Sequence, residues 1–254
     1  MITVRTLTSS LMAALLAIAI APLAFAKEGG VLLFGGTGRL GVPIAQLLVA
    51  AGEDVTVFVR RESSTEALKG LKVRYVVGDL LDEKSIAAAF RKRHYRMVID
   101  ASAQRGAGDQ VGDYYQSVAR AQLKYAAETG VKQFILHGSI GAGANLQQVP
   151  QLRNVPGTSR LADKGKAEQI IIDSGVPYTI IRNGLIPKDP QPPPTERAFL
   201  TTDLTTMGEV TRGDLAILTL DAMDNPARLN KIYHAIDPGL HLRTDVPRVE
   251  PEGG

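Results

Sequence analysis

The chain contains no cysteine. Disulfides, zinc–thiolate centres and a thiol nucleophile are therefore excluded. The absence fits any compartment, so it leaves localisation open. A large charge of one sign is missing too: 29 basic residues stand against 26 acidic ones, a net charge of +3. Apart from Arg60-Arg61 and Arg91-Lys92-Arg93 the basic residues are scattered. No stripe interleaves them with aromatics, so nothing points to a nucleic-acid partner. His94, His137, His234 and His241 have no paired spacing, and no metal site is expected. No tandem repeat is visible, and the first 26 residues contain no twin arginine.

What is there describes a globular chain. Hydrophobic residues make up 44% and charged residues 22% of 254 residues. That suits one large domain with a packed core. The first 26 residues read as a secretory signal: Arg5, the apolar run from Leu11 to Ile20, and the small-x-small triplet Ala24-Phe25-Ala26. The mature protein would begin at Lys27 and be periplasmic or secreted. Two other readings stay open. The segment is a short membrane anchor, although Pro22 and the length of the run tell against a span; or it is not used and the protein is cytoplasmic. Residues 27–237 are expected to form the folded domain, and 238–254, polar and proline-rich, a flexible tail.

The remainder alternates. Apolar β-branched runs at 31–34, 55–59, 73–77, 97–99, 134–136, 178–181 and 231–236 read as strands. Helical periodicity covers 40–51, 82–93, 109–129, 159–174 and 214–223, with Gly52, Gly130 and Gly175 as stops. This rhythm predicts an α/β fold: a single doubly wound parallel sheet of Rossmann type with a small C-terminal region on the substrate side. Pro187 to Pro194 interrupts it and is expected to be a loop near the open end of the sheet.

One motif carries chemistry. Gly35-Gly36-Thr37-Gly38-Arg39-Leu40-Gly41 lies between the first strand and the first helix, the context in which spaced glycines bind a dinucleotide. Gly35 permits the tight turn, Gly38 the approach of a pyrophosphate, and Gly41 close helix–strand packing. Arg60 and Arg61 follow the second strand, where an acidic residue would favour NAD. Guanidinium groups there suit a 2′-phosphate, with Arg39 as a third charge, so NADP(H) is preferred over NAD. Arg60 and Arg61 as solvated partners of Glu62 is the plainer alternative.

From these landmarks the chain resembles the atypical short-chain dehydrogenase/reductase family, in its NmrA-like NAD(P)-binding branch. The resemblance covers roughly residues 30–237 and includes Tyr178 to Gly184 and Thr211 to Ala216. It implies that Asp79 and Leu80 lie at the adenine, and that Ala101, Ser102 and Ala103 line the nicotinamide side. Ser139 falls at or beside the family's catalytic serine. Aligned to the Tyr-x-x-x-Lys signature, Lys166 takes the lysine position and Ala162 that of the tyrosine. No tyrosine lies between Tyr125 and Tyr178. A phenolic proton relay is therefore not expected. Lys166 either binds the nicotinamide ribose or is solvated. His137 is either a proton donor at the substrate or a buried residue bonded to its surroundings. The expected function is an NADP(H)-dependent oxidoreductase lacking the catalytic tyrosine, acting on a quinone, a flavin or a similar small molecule. The alternative is a non-catalytic sensor or assembly protein.

Overall fold

The computed structural model describes residues 28–104, 112–155 and 158–242. The segment expected to be a signal, residues 1–26, lies outside them, as do 109–111 at the start of an expected helix and 243–254 of the expected tail. The elements run β1 (Gly30–Phe34), α1 (Gly41–Ala50), β2 (Val55–Val59), β3 (Val73–Val77), α2 (Glu83–Lys92), β4 (Tyr95–Asp100), α3 (Tyr114–Glu128), β5 (Gln133–Ser139), α4 (Leu161–Asp173), β6 (Tyr178–Asn183), β7 (Phe199–Thr201), α5 (Arg212–Ala222) and β8 (Lys231–Ile236). Short 3₁₀ turns at Gly143–Gln147, Pro150–Asn154 and Thr158–Arg160 connect β5 to α4.

The strands form one sheet in the order β3-β2-β1-β4-β5-β6-β8-β7. Every pairing is parallel except β7 with β8. β1, β2 and β4 are buried along their whole length. That is why they read as continuous apolar runs and not as alternating ones. Alternate side chains serve opposite layers. Val31 and Leu33 pack with Ile44 and Leu48 of α1 and Leu215 of α5. Leu32 and Phe34 pack with Ile86 and Phe90 of α2, Leu123 of α3 and Ile171 of α4. The direction of winding reverses between β1 and β4, so a crevice opens there beyond the carboxyl ends of the strands.

Most ends shift by one to three residues from the sequence expectation, and three differences are larger. α3 begins at Tyr114. Its start is fixed from another helix: Asp163 accepts from the Tyr115 backbone N–H at 2.7 Å and from the Gln116 side chain at 2.9 Å. β7, only three residues long, was too short to show a period and is held at the edge by β8. Residues 238–242, expected in the flexible tail, pack: Leu240 is buried, and the Leu242 N–H donates to Glu209. Among the described residues no helix is long and apolar enough to cross a membrane.

The amino-terminal edge of the sheet is pinned by charge. Arg96, at the start of β4, donates to Glu53 at 2.9 Å and to Asp224 at 2.9 Å. Arg96 and Glu53 are buried. Beside them Asp54 holds Arg74 and Arg93.

Candidate functional site

A groove of about 960 Å³ runs along the carboxyl edge of the sheet at the crevice. Gly35, Thr37, Gly38, Arg39 and Leu40 form its floor. The glycines are required by what surrounds them. Gly35 has φ +75°, and a Cβ there would stand 2.6 Å from the backbone of Ala101 and Ser102. A Cβ on Gly41 would stand 2.1 Å from the Gly35 carbonyl oxygen, so only glycine lets α1 start against the turn. Gly41 itself is buried behind the lining. A Cβ on Gly38 would meet only the Gly35 oxygen, at 3.0 Å. The rest of that position faces open space, as the approach of a phosphate demands.

One end of the groove is lined by Arg60, Glu62, Asp79 and Leu80. Arg60 pairs with Glu62 at 3.1 Å. Arg61 is exposed and is not part of the lining, so of the two expected arginines the structure brings one to the site. The reason is local: successive residues leaving a strand point to opposite sides. Asp79 turns one carboxylate oxygen back to the Leu81 N–H at 2.9 Å and takes the Ser85 hydroxyl on its own N–H. Asp82 caps α2 through the Lys84 N–H.

At the other end stand Ala101, Ser102, Ala103, His137, Ser139, Asn183 and Tyr114. The Ser102 N–H donates to the buried Asp100 carboxylate at 2.8 Å, which fixes the turn after β4. Of the two readings of Lys166, ribose ligand or solvated residue, its position agrees with the second. Lys166 is exposed and lies outside the lining. Lys164, two residues earlier, enters the groove and donates to Ser139 Oγ at 2.6 Å. Helical geometry explains the correction. The inward stripe of α4 is Leu161, Lys164, Ala167, Glu168 and Ile171, and Lys166 falls on the opposite face. Burial holds the Lys164 ammonium down to about 8, against an upward pull from Glu168. The face of Tyr115 lies 5.2 Å from its Nζ.

The corrected register puts Arg160 at the tyrosine position four residues before the lysine. Its guanidinium donates to the Gln104 carbonyl at 3.1 Å. Ala162 is exposed. A tyrosine does reach the groove, from another helix: Tyr114 of α3. Burial pushes its phenol above the ordinary range, so it can donate a hydrogen bond but is no base.

His137 lines the groove but is not poised to give a proton. Its Nε2 meets Thr219 Oγ1 at 2.9 Å, and its Nδ1 meets the Asn183 side chain at 3.0 Å. The Asn183 atom at Nδ1 is its side-chain carbonyl oxygen, which accepts from Nδ1–H. Thr219 Oγ1, which faces Nε2, also lies 2.6 Å from the Leu215 carbonyl. Burial lowers the imidazole to about 4. A neutral ring with both nitrogens engaged is a fixed structural group.

The proline-rich loop is tied to the rim of the groove. Asp189 bridges Arg39 of the glycine turn at 3.0 Å and Arg212 of α5 at 2.7 Å. Arg212 lines the groove, as does Ile186. Sequence reasoning missed Lys164, Asn183, Tyr114 and Arg212. Among the described residues no group of acidic or histidine side chains has the geometry of a metal site.

The fold and the groove together define a Rossmann-type dinucleotide-binding protein, its glycine turn at the reversal of the sheet and its phosphate-sized opening at Gly38. Residues 35–226 match the family model described as NAD(P)H-binding. The chain belongs to that family, among the atypical short-chain dehydrogenases/reductases. It is 31% identical over 166 residues to sterol demethylase protein B of Methylococcus capsulatus, covering 61% of this chain and 51% of that one. It thus spans about half the length of that relative. It is 28% identical over 227 residues to a probable pinoresinol-lariciresinol reductase of Arabidopsis thaliana, covering 84% and 69%. Its fold is similar to that of ChuY, an anaerobilin reductase from Escherichia coli O157:H7, with TM-score 0.71 and 24% identity over 84% of this chain and 98% of the other. The cofactor class is therefore a nicotinamide dinucleotide.

Proposed function

We propose that the chain is an NADPH-dependent reductase of a small conjugated acceptor, in which Lys164 stands in for the missing phenol as proton donor. The observation that carries this reading is the 2.6 Å contact between Lys164 and Ser139 inside the groove that begins at the glycine turn. Nicotinamide chemistry supplies a hydride. The side chains must then place the acceptor and deliver one proton to the atom that becomes electron-rich. Lys164, held to about 8 by burial, is near neutrality in its acid strength and holds its proton at physiological pH. Ser139 accepts from it and is placed to pass a hydrogen bond to an acceptor oxygen. Tyr114 adds a neutral hydroxyl donor at the same end.

The phosphate-binding end favours NADPH over NADH through Arg60, which faces the groove and pairs there with the exposed Glu62. The acceptor is a quinone, flavin or similar delocalised molecule. The reductase relatives are named for small-molecule reductions. The proton then goes to an anion already stabilised by conjugation, a lighter task than trapping a simple alkoxide. Export is part of the same reading: Leu11 to Ala26 supports a cleaved signal and a mature terminus at Lys27. Mass spectrometry of the native protein tests it, and a species that retains Met1 contradicts it.

The activity is tested by NADPH oxidation with quinone and flavin acceptors, in the wild type and in Lys164→Met. Wild-type turnover that falls steeply in the variant is expected. Equal turnover in the two removes Lys164 from the reaction.

A further inference from the structure

In the groove, Arg39 stands on the glycine turn and Arg212 at the start of α5, and both line the space assigned to the cofactor. Neither is free to meet an anion. One carboxylate occupies both: Asp189 gives Oδ2 to Arg39 and Oδ1 to Arg212. Asp189 comes from a loop bounded by Pro187 and Pro194, far from either arginine in sequence, and it is half-exposed with exposed neighbours. The Gln191 side chain of the same loop accepts from the Arg212 backbone N–H at 2.9 Å. The loop is therefore joined to the rim of the groove at two points, through the two guanidinium groups best suited to hold phosphate.

Arginine pairs with a carboxylate and with a phosphate through the same forked geometry. A carboxylate that splits its two oxygens between two guanidinium groups has the layout of a bridging phosphate oxygen pair. We propose that Arg39 and Arg212 are ligands of the cofactor pyrophosphate, and that Asp189 is an internal stand-in that must leave them when the dinucleotide binds. This rests on the reading that the groove holds NADPH. The exchange costs little at Arg39, where both partners are solvated; at Arg212, which is mostly buried, the phosphate must replace the lost contact in kind. Once the carboxylate leaves, its loop is released from the glycine turn, so cofactor binding and the position of the loop are coupled. A second role follows. An anion too small to reach both arginines does not repay the lost contacts, and the loop stays in place.

The sign of one mutational effect decides the matter. Asp189→Asn keeps the shape of the loop and removes the competing charge. NADPH, titrated calorimetrically, should bind about fivefold more tightly to that variant, since exposed charge pairs are each worth a fraction of a tenfold change in affinity. Arg212→Met and Arg39→Gln should each weaken it, and the gain from Asp189→Asn should shrink in the Arg212→Met background, where only Arg39 is left to free. Adenosine 2′-monophosphate, which lacks the pyrophosphate, should bind wild type and Asp189→Asn alike. Weaker or equal NADPH binding by Asp189→Asn, with normal binding by the wild type, overturns the stand-in and makes Asp189 a structural latch. Failure of the wild type itself to bind NADPH overturns the cofactor reading, and this proposal with it.

Discussion

The two edges of the sheet use the same residue types to opposite ends. At the amino-terminal edge Arg96 is buried between Glu53 and Asp224, with Gln133 nearby donating to the Ala222 carbonyl and accepting from the Asp224 N–H. At the carboxyl-terminal edge Arg39, Arg60 and Arg212 pair with Asp189 and Glu62, and most of these partners are open to water. Buried pairs are costly to break, because each removed partner strands a charge away from solvent. Exposed pairs are cheap to exchange. One edge is thus a fixed staple, while the other keeps its cations lightly held and available to a ligand.

The largest effect should come from Lys164, which belongs to neither kind of pair. Lys164→Met is expected to reduce turnover by ~10²–10⁴-fold with NADPH affinity little changed, the usual share of a general acid. The acid must carry its proton. Wild-type turnover should therefore hold below pH about 8 and fall above it, as the Lys164 ammonium is lost. A flat profile through that range would give the proton to another group.

Next comes the staple. Arg96→Met should cost roughly 3 kcal/mol in denaturant unfolding, because it removes the buried guanidinium that Glu53 and Asp224 share. NADPH affinity of the folded fraction should not change. A loss of affinity equal to the loss in Arg60→Ala would erase the distinction between the edges.

Acid should loosen the core between the two edges. His137 and His234 are both buried, and both are lowered to about 4. Their unfolded counterparts titrate near the ordinary value of ~6.5, so the unfolded chain binds more protons between the two values. Stability is full above pH ~6.5 and falls as pH drops toward 4, by on the order of 2 kcal/mol per histidine. Urea titrations at pH 7 and pH 4.5 measure it, and replacing His137 by Gln should lessen the decline.

The smallest effect belongs to Arg60→Ala, which should weaken NADPH by about tenfold and leave NADH unaffected. Equal losses for both cofactors would make Arg60 a general anion contact with no part in selecting the 2′-phosphate.

Some of this site was legible from the sequence because its constraints are local. Gly35, Gly38 and Gly41 are demanded by atoms within a few residues or on the adjoining strand end, so their spacing alone marks the turn. The strand β2 was legible to the residue because a strand buried along its whole length must be apolar throughout or nearly so; β3, at the sheet's edge with only Val76 buried, and β8 were read from their β-branched runs. The lysine was legible and misassigned. The motif alignment selected Lys166, whereas the periodicity of α4, from Leu161 to Ile171, selects Lys164. The character of His137 was visible only in part, since the burial that keeps it neutral and its partner Thr219, 82 positions away, come from other elements of the fold. Asp189 was not legible at all. Its partners lie 150 residues before it and 23 after it, in contacts set by the packing of α1 against α5 and by no local pattern.

The claim on which all else rests is that the groove above the glycine turn holds the dinucleotide. Gly38→Val tests it most directly, by filling with side chain the one open face of that turn, where the only crowding atom is the Gly35 oxygen. NADPH is titrated into the wild type and the variant by fluorescence, with unfolding measured alongside. The wild type should bind, and the variant should lose binding while unfolding as the wild type does. A folded variant that binds NADPH with wild-type affinity would place the cofactor elsewhere and contradict the account.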